Sequence, residues 1–125
     1  MKKVISTNNA PAAIGPYNQA IEANGMLFLS GMLPIDPSTG DIVSGGAKEQ
    51  TAQIFKNIEA VLAAARITTD NIVKTTVFLD DMSLFGDMNE VYASRFNGTF
   101  PARSAFAVKT LPKNALVEIE VIAVK

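Results

Sequence analysis

The chain reads as an α+β domain, a mixed β-sheet with two helices packed on one face. Three observations carry this. Residues 46 to 65 repeat apolar side chains at steps of three and four, the period of an amphipathic helix. A shorter stretch from Leu84 to Phe96 does the same. Runs rich in β-branched residues flank and separate the two, giving the order strands, helix, strand, helix, strands, which is an α+β pattern.

Val4-Ile5 makes a short apolar start at a sheet edge, and the small residues from Ala10 to Gly15 form a loop ended by Pro16. Gln19 to Ala23 and Met26 to Ser30 flank Asn24-Gly25, the strongest short-range hairpin signal. Pro37-Ser38-Thr39-Gly40-Asp41 is turn chemistry throughout and predicts a surface loop. In the first helix Ala47, Thr51, Ile54, Ile58, Val61 and Ala65 form the inner stripe, widened by Phe55 and Leu62. Asp70-Asn71 turns the chain into a strand over Ile72 to Leu79. Asp81 or Ser83 caps the second helix, whose inner face is Leu84, Met88, Val91, Tyr92 and Phe96, and Asn97-Gly98 ends it. Two strands close the chain, Ser104 to Thr110 and Leu116 to Val124.

The last strand places Val117, Ile119, Val121 and Ala123 on one face, and Glu118, Glu120, Ile122 and Val124 on the other. Ile72 to Leu79 is apolar on both faces as well, with Val73, Thr75, Val77 and Leu79 alternating against Ile72, Lys74, Thr76 and Phe78. A sheet covered by helices on one side should be polar on the other. The second face is therefore expected to lie under another subunit, with Glu118 at the rim of that interface and a ligand cleft between copies.

With 125 residues, one domain spanning 1–125 is expected. A net charge of −1 argues against a nucleic-acid partner. No apolar run is long enough for a bilayer, and the start is too polar for a signal peptide. A soluble cytoplasmic protein is the expectation. The chain has no histidine and no cysteine, so the commonest general base and the thiol nucleophile are excluded. Carboxylates, arginine, lysine, hydroxyls and backbone dipoles are left. Arg103, after Phe100-Pro101-Ala102, offers a planar fork for an anion. Glu118, on an adjacent strand, could hold or deprotonate a water. Together they suggest hydrolysis of a small carboxylate-bearing molecule. Taken alone, however, Arg103 reads as a solvated surface residue, and nothing in the pattern chooses between Glu118 and Glu120.

Several segments, in order, carry a resemblance. They are Gly15-Pro16-Tyr17, Ser30-Gly31, Leu33 to Gly40, Val73-Lys74-Thr75-Thr76-Val77-Phe78, Pro101-Ala102-Arg103-Ser104 and Glu118-Ile119-Glu120-Val121-Ile122-Ala123. This arrangement resembles the Rid family of reactive-intermediate (imine) deaminases, formerly the YjgF family, over nearly the whole chain. The resemblance implies a chorismate-mutase-like fold whose sheets form a barrel in a homotrimer. It also implies hydrolysis of 2-imino acids, such as 2-iminobutanoate and 2-iminopropanoate, to 2-oxo acids and ammonia, with no metal and no cofactor. By position it makes Arg103 the grip on the substrate carboxylate and Glu118 the residue that steers water. Tyr17 and Ser30 line the cleft, Gly31 supplies close backbone, and Ala105, where relatives often carry cysteine or threonine, contributes its carbonyl. Met32 stands where glutamine is frequent, which bears on substrate preference. The alternative functions are a non-catalytic module sensing 2-oxo acids in the same cleft, and an interaction protein acting as a holdase or on RNA.

Overall fold

The computed structural model describes residues 1–125. Six strands form one sheet: β1 (Lys3–Ile5), β2 (Ala20–Ala23), β3 (Met26–Met32), β4 (Ile72–Leu79), β5 (Ala102–Ala107) and β6 (Val117–Val124). Their order across the sheet is β1-β2-β3-β6-β4-β5, and only the β4–β5 pairing is parallel. Helices α1 (Ala47–Ala64) and α2 (Phe85–Ser94) pack on one face. The mixed sheet with two helices agrees with the sequence reading. No helix is long and apolar enough to cross a membrane.

The β2–β3 hairpin turns at Asn24 and Gly25, both at positive φ (52° and 72°). This is the left-handed pair that a two-residue turn requires. Helix α1 starts where the Glu49 carboxylate accepts a hydrogen bond from the Gly46 N–H at 2.8 Å, satisfying a donor the helix cannot. Its stripe of Ile54, Phe55, Ile58, Val61 and Leu62 is wholly buried. It packs in one core with Leu27, Val77, Leu79, Val117, Ile119 and Val121 from the sheet. Phe55 meets Tyr92 and Phe96 edge to face at 5.6 and 5.7 Å. Lys48 pairs with Glu90 at 2.8 Å across the two helices.

Four local expectations need correction. The chain makes a 3₁₀ turn at Met82–Leu84 before α2, and it is this turn that Asp81 caps through the Ser83 N–H. Helix α2 ends at Ser94, short of Asn97-Gly98, and Leu84 and Val91 are only partly buried. Strand β5 starts at Ala102 and ends at Ala107, because parallel pairing with β4 begins at Lys74–Ala102 and stops where β4 does. Strict alternation in β4 fails at Val73, an extra residue between the Ile72–Ala123 and Lys74–Ile122 pairs. That bulge lets Ile72 and Thr75 share the buried face.

The face away from the helices carries Val4, Phe28, Phe106 and Val124, all at least 38% exposed. Glu118, Glu120, Lys74 and Thr76 lie on that face too, fixed there by their register. Lys74 and Glu120 flank a hollow with Phe28 and Ile122 and enter none of the chain's salt bridges.

Candidate active site

Strand β5 is the open edge of the sheet, and Arg103 projects from it toward α2. Its guanidinium donates from one terminal nitrogen to Asn89 Oδ1 at 2.7 Å. It also lies over the Tyr92 ring at 4.7 Å and near the Phe85 ring at 5.3 Å, favourable positions for a cation on aromatic faces. Tyr92 is itself fixed by a 2.7 Å hydrogen bond to Thr75 Oγ1 in the core. Burial pushes the Tyr92 phenol up, while the Thr75 bond and the Arg103 charge act the other way. Arg103 is half-buried and lines a cleft with Asn89, Tyr92, Ala93, Phe100 and Pro101.

Ala105, two residues on, presents its backbone to the open edge. The Val108 N–H donates to the Leu79 carbonyl at 2.9 Å. Alternation along the strand then turns the carbonyls of Ser104 and Phe106 to β4 and those of Arg103 and Ala105 away from it. The Ala105 carbonyl is thus a free acceptor on the same edge as Arg103.

The other named residues gather elsewhere. Ser30 and Gly31 sit opposite Glu120 alone, between the Leu29–Val121 and Met32–Ile119 pairs. This is a β-bulge, a device that re-aims backbone and is over-represented beside active sites. The Ser30 hydroxyl donates to the Asn18 carbonyl at 2.6 Å. Tyr17, 51% exposed, lines a small cavity with Ser30, Gly31 and Met32. A side-chain carbon on Gly31 would come within 3.0 Å of Glu118 Cδ and overlap its carboxylate. Glycine is required here for that close approach. Desolvation raises the Glu118 pKa above the ordinary carboxylate range, and the like charge of Glu120 raises it further.

One expectation fails. Arg103 and Glu118 are not on adjacent strands, because β4 lies between β5 and β6. Arg103 pairs with Thr75, which pairs with Val121. From that register the Cα atoms of Arg103 and Glu118 are about 14 Å apart. Arg103 faces the helices, whereas Glu118 faces the open side. Within one chain these residues fall into two separate groups: Arg103 with Ala105, and Glu118 with Gly31, Ser30 and Tyr17.

Sequence reasoning missed the contacts that hold these two groups in place. Phe85, Asn89 and Tyr92 are spaced i, i+4, i+7 on α2, a helical stripe that could have been read as one face. Gln19, only 7% exposed, ties down the loop behind Tyr17. Its amide accepts from the Thr7 N–H at 2.7 Å and donates to the carbonyls of Thr7 and Pro11 at 3.0 and 2.8 Å. Asn57 does the same for the next loop, donating to the Ile35 carbonyl at 2.8 Å. Gln19→Ala should cost about 1–3 kcal/mol, the penalty for stranding buried polar groups, read as a lower urea midpoint at unchanged slope. No three acidic side chains are grouped to hold a metal ion.

The family model described as endoribonuclease L-PSP matches residues 7–125. A RutC family protein of Pyrococcus horikoshii is 54% identical, with 100% of this chain and 99% of that one covered. The mouse protein named 2-iminobutanoate/2-iminopropanoate deaminase is 49% identical, covering 100% of this chain and 93% of its own. A crystal structure of a Rid-family protein of Yersinia pestis superposes with a TM-score of 0.97 at 55% identity, covering 100% of both chains.

Proposed function

Because the chain belongs to the endoribonuclease L-PSP family, which includes the Rid deaminases, we propose that it hydrolyses 2-imino acids to 2-oxo acids and ammonia. One observation carries the reading. A chain 49% identical to a named imine deaminase holds a fixed guanidinium in one half-site and a desolvated carboxylate in the other. The half-sites are joined by a second copy, whose Glu118, Gly31, Ser30 and Tyr17 face the Arg103 edge of the first. The apolar open face of the sheet supports this pairing. Homotrimeric assembly and a cytoplasmic location belong to the same proposal.

The substrate is a protonated imine beside a carboxylate. Arg103 takes the carboxylate through the donors that Asn89 leaves free, and the Ala105 carbonyl accepts a hydrogen bond from the iminium N–H. Glu118 removes a proton from a water as its oxygen bonds to the imine carbon, giving a tetrahedral aminoalcohol. The proton passes from Glu118 to nitrogen; as the C–N bond breaks, Glu118 takes the hydroxyl proton and hands it to the departing ammonia, so ammonium leaves with the 2-oxo acid. Water and iminium are consumed in equal number, and Glu118 ends as it began. A carboxylate with a raised pKa is a stronger base than an ordinary one, which suits it to this step. No covalent nucleophile is needed, in keeping with a chain lacking cysteine and histidine.

A carboxylate placed beside an anionic ligand also favours turnover over mere sensing of 2-oxo acids, since a binding site for an anion gains nothing from it. The decisive assay generates 2-iminobutanoate in situ with an amino-acid oxidising enzyme and follows release of 2-oxobutanoate. Release at the uncatalysed rate would end the proposal. Gly31→Ala offers a finer test. The added methyl displaces only the flexible end of Glu118, so melting temperature should hold while kcat falls at least about tenfold, in line with the cost of misplacing a catalytic group.

A further inference from the structure

The geometry points to Asn89 as a positioning residue that sets the Arg103 guanidinium for carboxylate binding, and that has to be uncharged to do so. The inference rests on the proposed imine hydrolysis for its kinetics, but its central measurement needs only a bound carboxylate. Asn89 Oδ1 accepts from one terminal nitrogen of Arg103 at 2.7 Å. With Phe85 and Tyr92 it makes a three-sided cradle from positions i, i+4 and i+7 of one helix face. The rings confine the guanidinium carbon, at 5.3 Å from Phe85 and 4.7 Å from Tyr92. The Asn89 hydrogen bond holds one terminal nitrogen, so the remaining N–H groups keep one direction before any ligand arrives.

Arginine is flexible, and a fork that must be ordered at each binding event binds more weakly than one already held. A carboxylate at this position would hold the fork as well as the amide does. It would also compete with the ligand for the same positive charge. Arg103 enters none of the chain's salt bridges, so its charge is uncommitted and available to an anion. The pairing is with an amide oxygen, which directs the cation without neutralising it.

The test compares Asn89→Ala and Asn89→Asp in the intact protein. Affinity for 2-oxobutanoate is measured by calorimetry, KM and kcat on 2-iminobutanoate in the coupled assay, and stability by thermal unfolding. Asn89→Asp is nearly isosteric and should melt at or above the wild-type temperature, yet bind 2-oxobutanoate at least about tenfold more weakly, the scale of one charge-assisted contact. Asn89→Ala should weaken binding similarly and raise KM more than it lowers kcat. If Asn89→Ala folds poorly, Asn89→Asp decides alone. Wild-type affinity in Asn89→Asp would overturn the inference, because a merely structural hydrogen bond tolerates the acid. Loss of binding in both variants from a wild type with no imine turnover would sustain it and overturn only the proposed reaction.

Discussion

Glu118→Gln should lower kcat by roughly 10²–10⁴-fold, the usual share of a general base, while leaving the affinity for 2-oxobutanoate unchanged or improved. The amide occupies the same space against Gly31 and keeps its contacts, but it cannot take a proton from water. It also removes a negative charge that the anionic product must otherwise approach. A sensing module would respond differently: binding would be untouched and there would be no kcat to lose. The pH profile carries the sign. In the proposed reaction Glu118 works as its carboxylate, so kcat/KM should rise with pH through its raised pKa and fall again where the iminium loses its proton. Burial is the larger cause of the shift and the Glu120 charge the smaller. Glu120→Gln should therefore move the acidic limb to lower pH without abolishing it, and Glu118→Gln should erase that limb. A profile whose acidic limb survives in Glu118→Gln would assign the base to another group.

Arg103→Ala is expected to reduce kcat/KM by tenfold to roughly 150-fold, the effect of losing one hydrogen bond to a charged group at about 1.5–3 kcal/mol. KM should carry most of the loss, because the carboxylate is gripped in the ground state as well as the transition state. Arg103→Lys should recover little. A single ammonium neither matches the two carboxylate oxygens nor offers a planar face to the Tyr92 ring, over which the guanidinium carbon sits at 4.7 Å. Freshly generated 2-iminopropanoate is the substrate for the measurement. Wild-type kinetics in Arg103→Ala would take this residue out of the site.

The elements were legible because their signals are local. The α1 stripe, the Asn24-Gly25 hairpin and the β4 run from Ile72 to Leu79 depend on neighbours within a few residues, and each occurs where its period and turn chemistry put it. The two bulges were not legible. Ser30-Gly31 and Val73 owe their conformations to the strands paired beside them, and no window along the chain contains both partners. Asn89 and Gln19 read as ordinary polar residues until the chain folds back on them. One then meets a guanidinium 14 positions away and the other a loop 8 to 12 positions away.

The sequence by itself determined the chemistry open to this protein. A chain without histidine or cysteine is left with carboxylates, arginine, lysine, hydroxyls and backbone dipoles, and among these it was the resemblance to the Rid family that singled out Arg103 and Glu118. Only the tertiary structure decided how those two are arranged. Strand order put β4 between them, and the pleat turned them to opposite faces of the sheet. Side-chain alternation is a property of each strand, but which strands become neighbours follows from the burial of α1 and α2 against a common face. That burial is a property of the whole chain, and it leaves Arg103 and Glu118 in two separate places that the proposed function joins through a second copy.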